Sequence, residues 1–280
     1  MAAAVRSGRW LRVRRDTYAL QLVTGLSPSR EHEHLLRVQG VAGRLGSGCI
    51  VSHQSAVLVH GIAVWGASLD QVHVTRIGAG TSRSRAGVTT HLNRLVDGED
   101  TLVRDIRVTT PARSLVDMAC VTNFESAVSS MDAALRLGST VRTELEQAST
   151  HVKRLRGAGI ARRAFAFSDG ASESVGESRL RVAIHDLGLP PPVLQHEFRS
   201  DLGYVVGRPD MWWPDSNVIG EFDGLVKYRG TMGEPVEVLI AEKRREDALR
   251  ALTGARVVRV TWADLGDRPR LERTLRSVLS

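Results

Sequence analysis

The C-terminal part of the chain alternates apolar and polar positions in a way that predicts a sheet covered by helices. Residues 177–188 repeat apolar side chains at helical spacing, with Glu177 in the first turn and Gly188 at the end. Three strand-like segments follow, the second of them over residues 203–214, then a helix closed by Gly254, a strand of continuous apolar type and a last helix. This order predicts a mixed α/β sheet with helices on its faces.

The N-terminal part also mixes strand and helix patterns. Residues 9–25 alternate apolar with basic residues, which predicts two short strands with a turn near Asp16, similar to the wing of a winged-helix module. A short helix is expected at about residues 53–60 with Ser52 as its N-cap, and residues 124–167 are expected to be helical in two segments, 124–138 and 140–167. The whole chain is therefore predicted to be α/β in the broad α+β sense.

A small, polar, glycine-containing segment at residues 168–176 marks the expected domain boundary. At 280 residues the chain is long enough for two domains, each with its own core. We predict an N-terminal α/β domain, a helical linker and a C-terminal mixed-sheet domain, with bounds of 1–135, 136–172 and 173–280.

Two carboxylates occupy one face of the predicted strand in "VIGEFDGLVKY". Glu221 and Asp223 point the same way and Phe222 the other, because side chains alternate along a strand. Solvent exposure, a salt bridge or a bound divalent cation would each offset the repulsion between the two charges. Asp210 precedes them on the neighbouring strand, and a short turn at "PDSN" would set all three acids side by side. Such hard oxygen ligands suit Mg²⁺ or Mn²⁺.

Composition favours a polyanionic partner. The net charge is +7 and the isoelectric point about 10.2, which fits nucleic acid. The two cysteines have no partner at metal-ligand spacing and are expected to be reduced, as in the cytoplasm. No apolar run is long enough for a transmembrane helix, and the charges near the N-terminus are arranged unlike a secretory signal. We therefore expect a cytoplasmic protein.

The segments "GRPDMWWPDSNVIGEFDGLVKY" and "EKRREDALRALTGARVVRVTWADL" resemble the restriction-endonuclease-like superfamily, in particular its very-short-patch-repair-like branch. The resemblance implies a restriction-endonuclease-like mixed sheet flanked by helices. It implies that Asp210 and Glu221 bind the metal ion and that Glu177, on the preceding helix, supports them, directly or through a water. Asp223 stands where the wider superfamily has its catalytic lysine, and would be a further ligand or would orient the attacking water.

The same resemblance leaves two lysines as candidates for the missing cation. Lys227 follows the Glu-x-Asp-Gly run, and Lys243 lies on the next helix. Either would stabilise negative charge at the reacting phosphate, and Arg245 would flank the site and contact nucleic acid.

The segments "GRWLRVRRDTYAL", "VSHQSAVLVHGI", "VHVTR" and "VTTPARSLVDMA" resemble AbiEi-type antitoxins and regulators of toxin–antitoxin systems. That family binds DNA through a winged helix-turn-helix. The helices that would enter the major groove are not among the segments predicted here. We therefore expect phosphate contacts, which are salt-dependent and indifferent to sequence, from the arginines of the wing, Arg9, Arg12, Arg14 and Arg15.

Two functional hypotheses follow. The first is a DNA-associated protein whose C-terminal half is a Mg²⁺- or Mn²⁺-dependent endonuclease that hydrolyses phosphodiester bonds. The alternative is a non-enzymatic transcriptional regulator or antitoxin, with an inactive nuclease-like half and a cognate toxin as its partner. His53 and His60 lie seven residues apart, but no carboxylate or cysteine stands at a matching spacing. We expect these histidines to be a helix cap and a packed side chain.

Overall fold

The protein has a mixed α/β architecture, described here from a computed structural model that covers residues 10–14, 17–20, 29–78, 81–224 and 247–279. The chain divides into two compact units, Met1–Ser168 and Asp169–Ser280. No helix among the described residues is long and apolar enough to cross a membrane.

The first unit contains a hairpin and a six-stranded mixed sheet. The hairpin pairs β1 with β2 in antiparallel fashion, as the alternation in residues 9–25 predicted, and the turn residue Asp16 lies outside the described residues. The sheet has the order β5-β6-β4-β3-β8-β7, in which β4–β6 and β3–β8 are parallel pairs. The strands are β1 (Trp10–Arg14), β2 (Thr17–Leu20), β3 (Cys49–Val51), β4 (Val72–Arg76), β5 (Arg83–Arg85), β6 (Val88–Leu92), β7 (Asp100–Val103) and β8 (Ile106–Thr109).

Helices cover this sheet. Val38 and Val41 of the first helix pack with Val72 and Val74 of β4 in one buried cluster, while His73 between those two valines points to the other face of the sheet. The helices of the unit are α1 (Arg30–Ala42), α2 (His53–Val59), α3 (Pro111–Val121), α4 (Phe124–Arg136), α5 (Arg142–Val152) and α6 (Ala158–Phe167).

The prediction of two helical segments in residues 124–167 is confirmed for the break at Gly138, but the second segment is divided again at Gly157. Three helices occur there, separated at Gly138 and Gly157, which have φ angles of +65° and +86°. Gly157 also packs closely on the end of α3, since a Cβ built on it would lie 2.0 Å from the Cys120 carbonyl oxygen. α5 and α6 contribute buried side chains to the first unit, which extends through most of the predicted linker 136–172 and ends at Ser168.

The second unit has a four-stranded mixed sheet of order β14-β13-β12-β9 and a separate two-stranded pair, β10-β11. β12 is antiparallel to β9 and β13, and β13 is parallel to β14. The elements are α7 (Val175–Asp186), β9 (Val193–Leu194), β10 (Phe198–Arg199), β11 (Val205–Gly207), β12 (Met211–Trp213), β13 (Val218–Asp223), β14 (Arg256–Thr261), α8 (Trp262–Gly266) and α9 (Arg268–Leu279), and residues 247–253 are also helical.

Two apolar clusters lie on opposite faces of this sheet. Met211 and Trp213 pack with α7, α8 and α9, whereas Trp212 and Ile219 pack with Leu249. The sequence predicted one strand over residues 203–214, and that prediction is wrong. The strand is interrupted at Pro209, which cannot donate a backbone hydrogen bond, and its two parts belong to different sheets.

Candidate functional site

The start of α7 fixes the first carboxylate of the candidate site. The Ser174 hydroxyl accepts a hydrogen bond from the Glu177 amide at 3.2 Å, and Glu177 Oε2 accepts one from the Glu173 amide at 2.8 Å. These bonds satisfy amides that every helix leaves open at its N-terminus. The carboxylate of Glu177 is therefore turned back over the first turn of the helix, where it is buried.

The register of the sheet puts a row of polar residues across its strands. Met211 pairs with Leu194 on one side and with Gly220 on the other, so Asp210, one residue earlier, continues the two ladders towards Gln195 and Glu221. Glu221 pairs in turn with Arg259 of β14. Residues directly opposite in such ladders have Cβ atoms about 4.5–5.5 Å apart. We call Gln195, Asp210 and Glu221, together with Glu177, the acid row.

Hydrogen bonds hold Asp210 in this position. Its Oδ2 accepts a bond from the Phe222 amide at 2.7 Å, and its backbone carbonyl accepts one from the Gln195 amide at 3.1 Å. The Gln195 side-chain amide donates to Glu177 Oε2 at 3.2 Å and lies 3.4 Å from Asp210 Oδ1. One amide group therefore joins the carboxylate of the helix to the carboxylate of the sheet.

The backbone of Gln195 explains this reach. Its φ angle is +51°, in the left-handed region that non-glycine residues seldom adopt. The residue therefore leaves the regular alternation of β9. Strained backbone of this kind is concentrated at functional sites, where the surrounding structure holds it in place.

Phe222 anchors the strand beneath the acid row. A Cβ built on Gly176 of α7 would lie 1.9 Å from Phe222 Cε1, so the ring fills the space that glycine leaves. The ring also meets Trp262 edge to face, with centroids 5.1 Å apart. This packing fixes the Phe222 amide that binds Asp210.

The electrostatics of the acid row favour a cation. Burial raises the pKa of the Glu177 carboxyl, and the neighbouring negative charge of Asp210 raises it further. A hard divalent ion would relieve this repulsion, and Mg²⁺ needs only one or two protein carboxylates because it keeps several waters. The donor set of the acid row therefore fits Mg²⁺ or Mn²⁺, with Asp210 and Glu221 as the residues that would hold it.

The other predicted site residues fall into two groups. Asp223 lies two residues beyond Glu221 on the same strand face, in register with Thr261. No three of the carboxylates of Glu177, Asp210, Glu221 and Asp223 lie within 4.8 Å of one another. Arg12 and Arg14 lie on β1, opposite Tyr18 and Thr17. The remaining predicted residues lie outside the described residues: Arg9, Arg15, Lys227, Lys243 and Arg245. Gln195 was not predicted as a site residue because its side chain carries no charge. The one feature of the sequence that could have indicated it is its position directly after an apolar strand.

A second polar cluster lies in the first unit. The ligand nitrogens of His53, His73 and His91 all lie within 4.8 Å of one another. Among the described residues, this is the one group of three metal-ligating side chains close enough to share an ion. The sequence considered His53 with His60 instead. His60 Nε2 is 2.8 Å from the Thr109 carbonyl oxygen, so it is a packed side chain as predicted, whereas His53 belongs to the cluster.

A buried arginine lies close to these histidines. The side chain of Arg113 is 0% exposed and forms ion pairs with Asp117 at 3.0 Å and with Glu99, which in turn lies 2.8 Å from His151 Nδ1. Burial raises the pKa of Asp117 to about 6, although the Arg113 guanidinium opposes that shift. The positive charge of Arg113 is also one cause of a lowered His53 pKa, after burial and the two other histidines.

Comparison with known proteins finds two relatives, both from Mycobacterium tuberculosis. They are Uncharacterized protein MT2308 of strain CDC 1551 / Oshkosh and Uncharacterized protein Rv2248 of strain ATCC 25618 / H37Rv. Each is 33% identical over 161 residues, which is 58% of this chain and 57% of the relative, so the match spans little more than half of either protein. No protein-family model matches the chain, and no solved structure matches it.

Proposed function

We propose that the second unit is a metal-dependent endonuclease that hydrolyses phosphodiester bonds of DNA. The observation that carries the proposal is the acid row, in which the Gln195 amide joins Glu177 to Asp210, and Asp210 and Glu221 stand on neighbouring strands. The basic composition, with a net charge of +7, supports a polyanionic substrate. The resemblance of this part of the sequence to restriction-endonuclease-like proteins also implies that Asp210 and Glu221 bind the metal ion.

Each residue of the acid row has its own role in this proposed reaction. Asp210 and Glu221 bind the ion, and the Phe222 amide keeps the Asp210 carboxylate oriented. Gln195 holds Glu177 against Asp210, and Glu177, whose pKa is raised by burial and by the charge of Asp210, is the candidate proton acceptor. When bound, Mg²⁺ or Mn²⁺ activates a water and offsets charge on the phosphate. Asp223 orients the water, and Lys227 or Lys243 stabilises the developing charge.

The first unit serves this activity by contacting DNA. The arginines of the wing give sequence-indifferent affinity for phosphates. In the cell, the protein is cytoplasmic under this proposal.

The test is cleavage of supercoiled plasmid and linear duplex by the full chain with Mg²⁺, with Mn²⁺ and with EDTA. Wild type is expected to cleave with either ion, and Asp210→Ala to lose cleavage. Asp215→Ala is the matched control, because Asp215 is an exposed acid on the turn of the same hairpin. Equal cleavage by wild type and Asp210→Ala would contradict the proposal. DNA binding without cleavage on any duplex would favour the regulator or antitoxin, for which a cognate toxin would then be sought.

A further inference from the structure

The histidine cluster is assembled from three places in the first unit. His73 and His91 stand on the neighbouring parallel strands β4 and β6, where His91 is in register with Thr75, two residues from His73. Residues 73, 75 and 91 therefore share one face of the sheet. His53 enters over this face from the start of α2, and its ring stacks on that of His91 with centroids 3.7 Å apart.

The three rings are close enough to act as one set of nitrogen donors. His73 Nδ1 and His91 Nε2 are 2.9 Å apart. Two nitrogens bound to one zinc ion at about 2.0–2.1 Å in a tetrahedron lie about 3.3 Å apart. A small tilt of two side chains converts the hydrogen bond into a pair of metal ligands. His53 Nδ1 lies 2.8 Å from the Ser52 hydroxyl, which leaves its Nε2 as the ligand atom.

These imidazoles are in the protonation state that binds metal. Burial lowers the pKa of His73 to about 3 and that of His91 to about 4, and it holds the pKa of the buried His53 well below its usual value. All three rings are therefore neutral at pH 7, with lone pairs on their ligand nitrogens.

Two buried oxygens beside the cluster have no hydrogen-bond partner among the described residues: Gln54 Oε1 and Thr75 Oγ1. The Gln54 side chain is 3% exposed and Thr75 is 0% exposed. Buried polar atoms are nearly always satisfied, and an unsatisfied one in a folded protein often marks a position where an ion or a water binds. These two unsatisfied oxygens support a bound ion independently of the distances between the histidines.

The Gln54 amide explains how the cluster changes when a metal binds. Its Nε2 now donates to the Ser68 carbonyl at 3.1 Å and to His73 Nε2 at 2.9 Å, so the proton of His73 is on Nδ1. A metal on Nδ1 would displace that proton and require one on Nε2. If the Gln54 amide then turns over, its unsatisfied Oε1 accepts this Nε2–H. Ser68 is exposed, and water can replace the lost donor at its carbonyl.

The backbone of His53 is also unusual. It is held at a φ of +54°, a conformation that costs energy for a side chain of this size. Strain of this kind is concentrated at functional sites. The positive charge of Arg113, which lowers the pKa of His53, is offset by ion pairs with Asp117 and Glu99.

We propose that His53, His73 and His91 bind one first-row transition-metal ion such as Zn²⁺ through three imidazole nitrogens, with the fourth position open to water or a small anion. Three nitrogen donors with an open position are characteristic of zinc and related ions and unsuited to Mg²⁺. The site belongs to the first unit and is separate from the acid row of the second.

The test uses the full chain, stripped of metal with a chelator and then titrated with Zn²⁺ by calorimetry. Elemental analysis is expected to give one bound zinc per chain, and Co²⁺ in its place is expected to give the visible absorption of a four-coordinate nitrogen site. His91→Gln is expected to weaken Zn²⁺ binding by more than about 100-fold, since a ligand contributes at least as much as the outer-shell groups that hold it. His185→Gln is the matched control, because His185 is exposed and lies on α7.

A measurement on the unmutated protein covers the case in which His91→Gln fails to fold. Zn²⁺ is expected to shift the imidazole ¹⁵N resonances of His53, His73 and His91 and to leave that of His185 in place. No zinc uptake by wild type, equal uptake by His91→Gln, or unshifted resonances would overturn the proposal and identify the cluster as hydrogen-bonded packing. Loss of DNA cleavage alone would bear on the acid row and not on this site.

Discussion

The histidine cluster and the acid row hold polar side chains in two different environments. The cluster buries neutral nitrogen donors on one face of a sheet, beside an arginine that two carboxylates neutralise. The acid row gathers carboxylates at the end of a strand, where a helix terminus and one glutamine amide position them. The donors of the first suit a borderline transition metal, and those of the second suit a hard divalent ion. The two sites therefore differ in donor chemistry, and the ligand atoms of the histidine cluster also lie within 4.8 Å of one another.

The largest expected effect is on stability, and it tests whether the charges of the first unit are compensated within the fold. Arg113→Met leaves Asp117 and Glu99 buried without their shared cation, so we expect the free energy of unfolding to fall by about 3–5 kcal/mol. Urea denaturation followed by circular dichroism measures it. Arg107→Met is the control, because the Arg107 pair with Asp100 is half exposed and worth less than about 1 kcal/mol. Equal losses in the two variants would contradict the comparison.

The second prediction tests whether the two sites act independently. Asp210→Asn is expected to reduce Mg²⁺-dependent cleavage by about 10³-fold, equivalent to about 4 kcal/mol of transition-state stabilisation, and to leave Zn²⁺ binding unchanged. His91→Gln is expected to weaken Zn²⁺ binding and to leave Mg²⁺-dependent cleavage unchanged. Cleavage assays and zinc titrations on both purified variants give the four values. If either variant lost both properties while remaining folded, the two sites would not be independent.

The third prediction concerns pH and the buried carboxyl of Asp117. Its pKa is raised from 3.8 to about 6 on folding, so the folded state holds the proton more tightly than the unfolded state does. The stability contributed by this group is therefore greatest below about pH 4, falls as the pH rises towards 6, and amounts to about 3 kcal/mol in all. Arg113 and Glu99 are the charged groups that face it.

Asp117→Asn removes that titration. The difference in unfolding free energy between variant and wild type, measured in urea from pH 4 to 7, is expected to move in favour of the variant as the pH rises. A difference that stays constant across this range would show that Asp117 is ionised throughout.

The smallest effect concerns the packing beneath the acid row. Gly176→Ala would press a methyl group into Phe222, which we expect to cost about 1–3 kcal/mol of stability and to lower cleavage by displacing the amide that binds Asp210. Thermal unfolding and cleavage rates measure the two effects. Gly159→Ala is the control, because a Cβ there meets nothing within 4 Å, and a helical alanine is expected to stabilise by up to about 1 kcal/mol. A neutral Gly176→Ala would mean that Phe222 does not set the position of the strand.

Local patterns predicted much of the second unit. The turn at "PDSN" set β12 antiparallel to β13, and the period of two put Glu221 and Asp223 on one strand face. The helix around Glu177 and the helical end before Gly254 were also predicted correctly. Each of these depends on neighbours in sequence, so propensity and alternation were sufficient. The breaks at Pro209 and Gly157 were missed, because their effect depends on what packs against them.

The sequence by itself determined which residues carry donors, the strand alternation that sets Glu221 and Asp223 on one face, and the mixed α/β class. Only the tertiary structure decided which donors meet. His53, His73 and His91 are separated by 20 and 18 positions along the chain, and they converge because β4 and β6 are parallel neighbours and α2 begins over their shared face. Gln195 joins Glu177 to Asp210 for the same reason. Contacts of this kind are set by strand order and register, which no local pattern encodes.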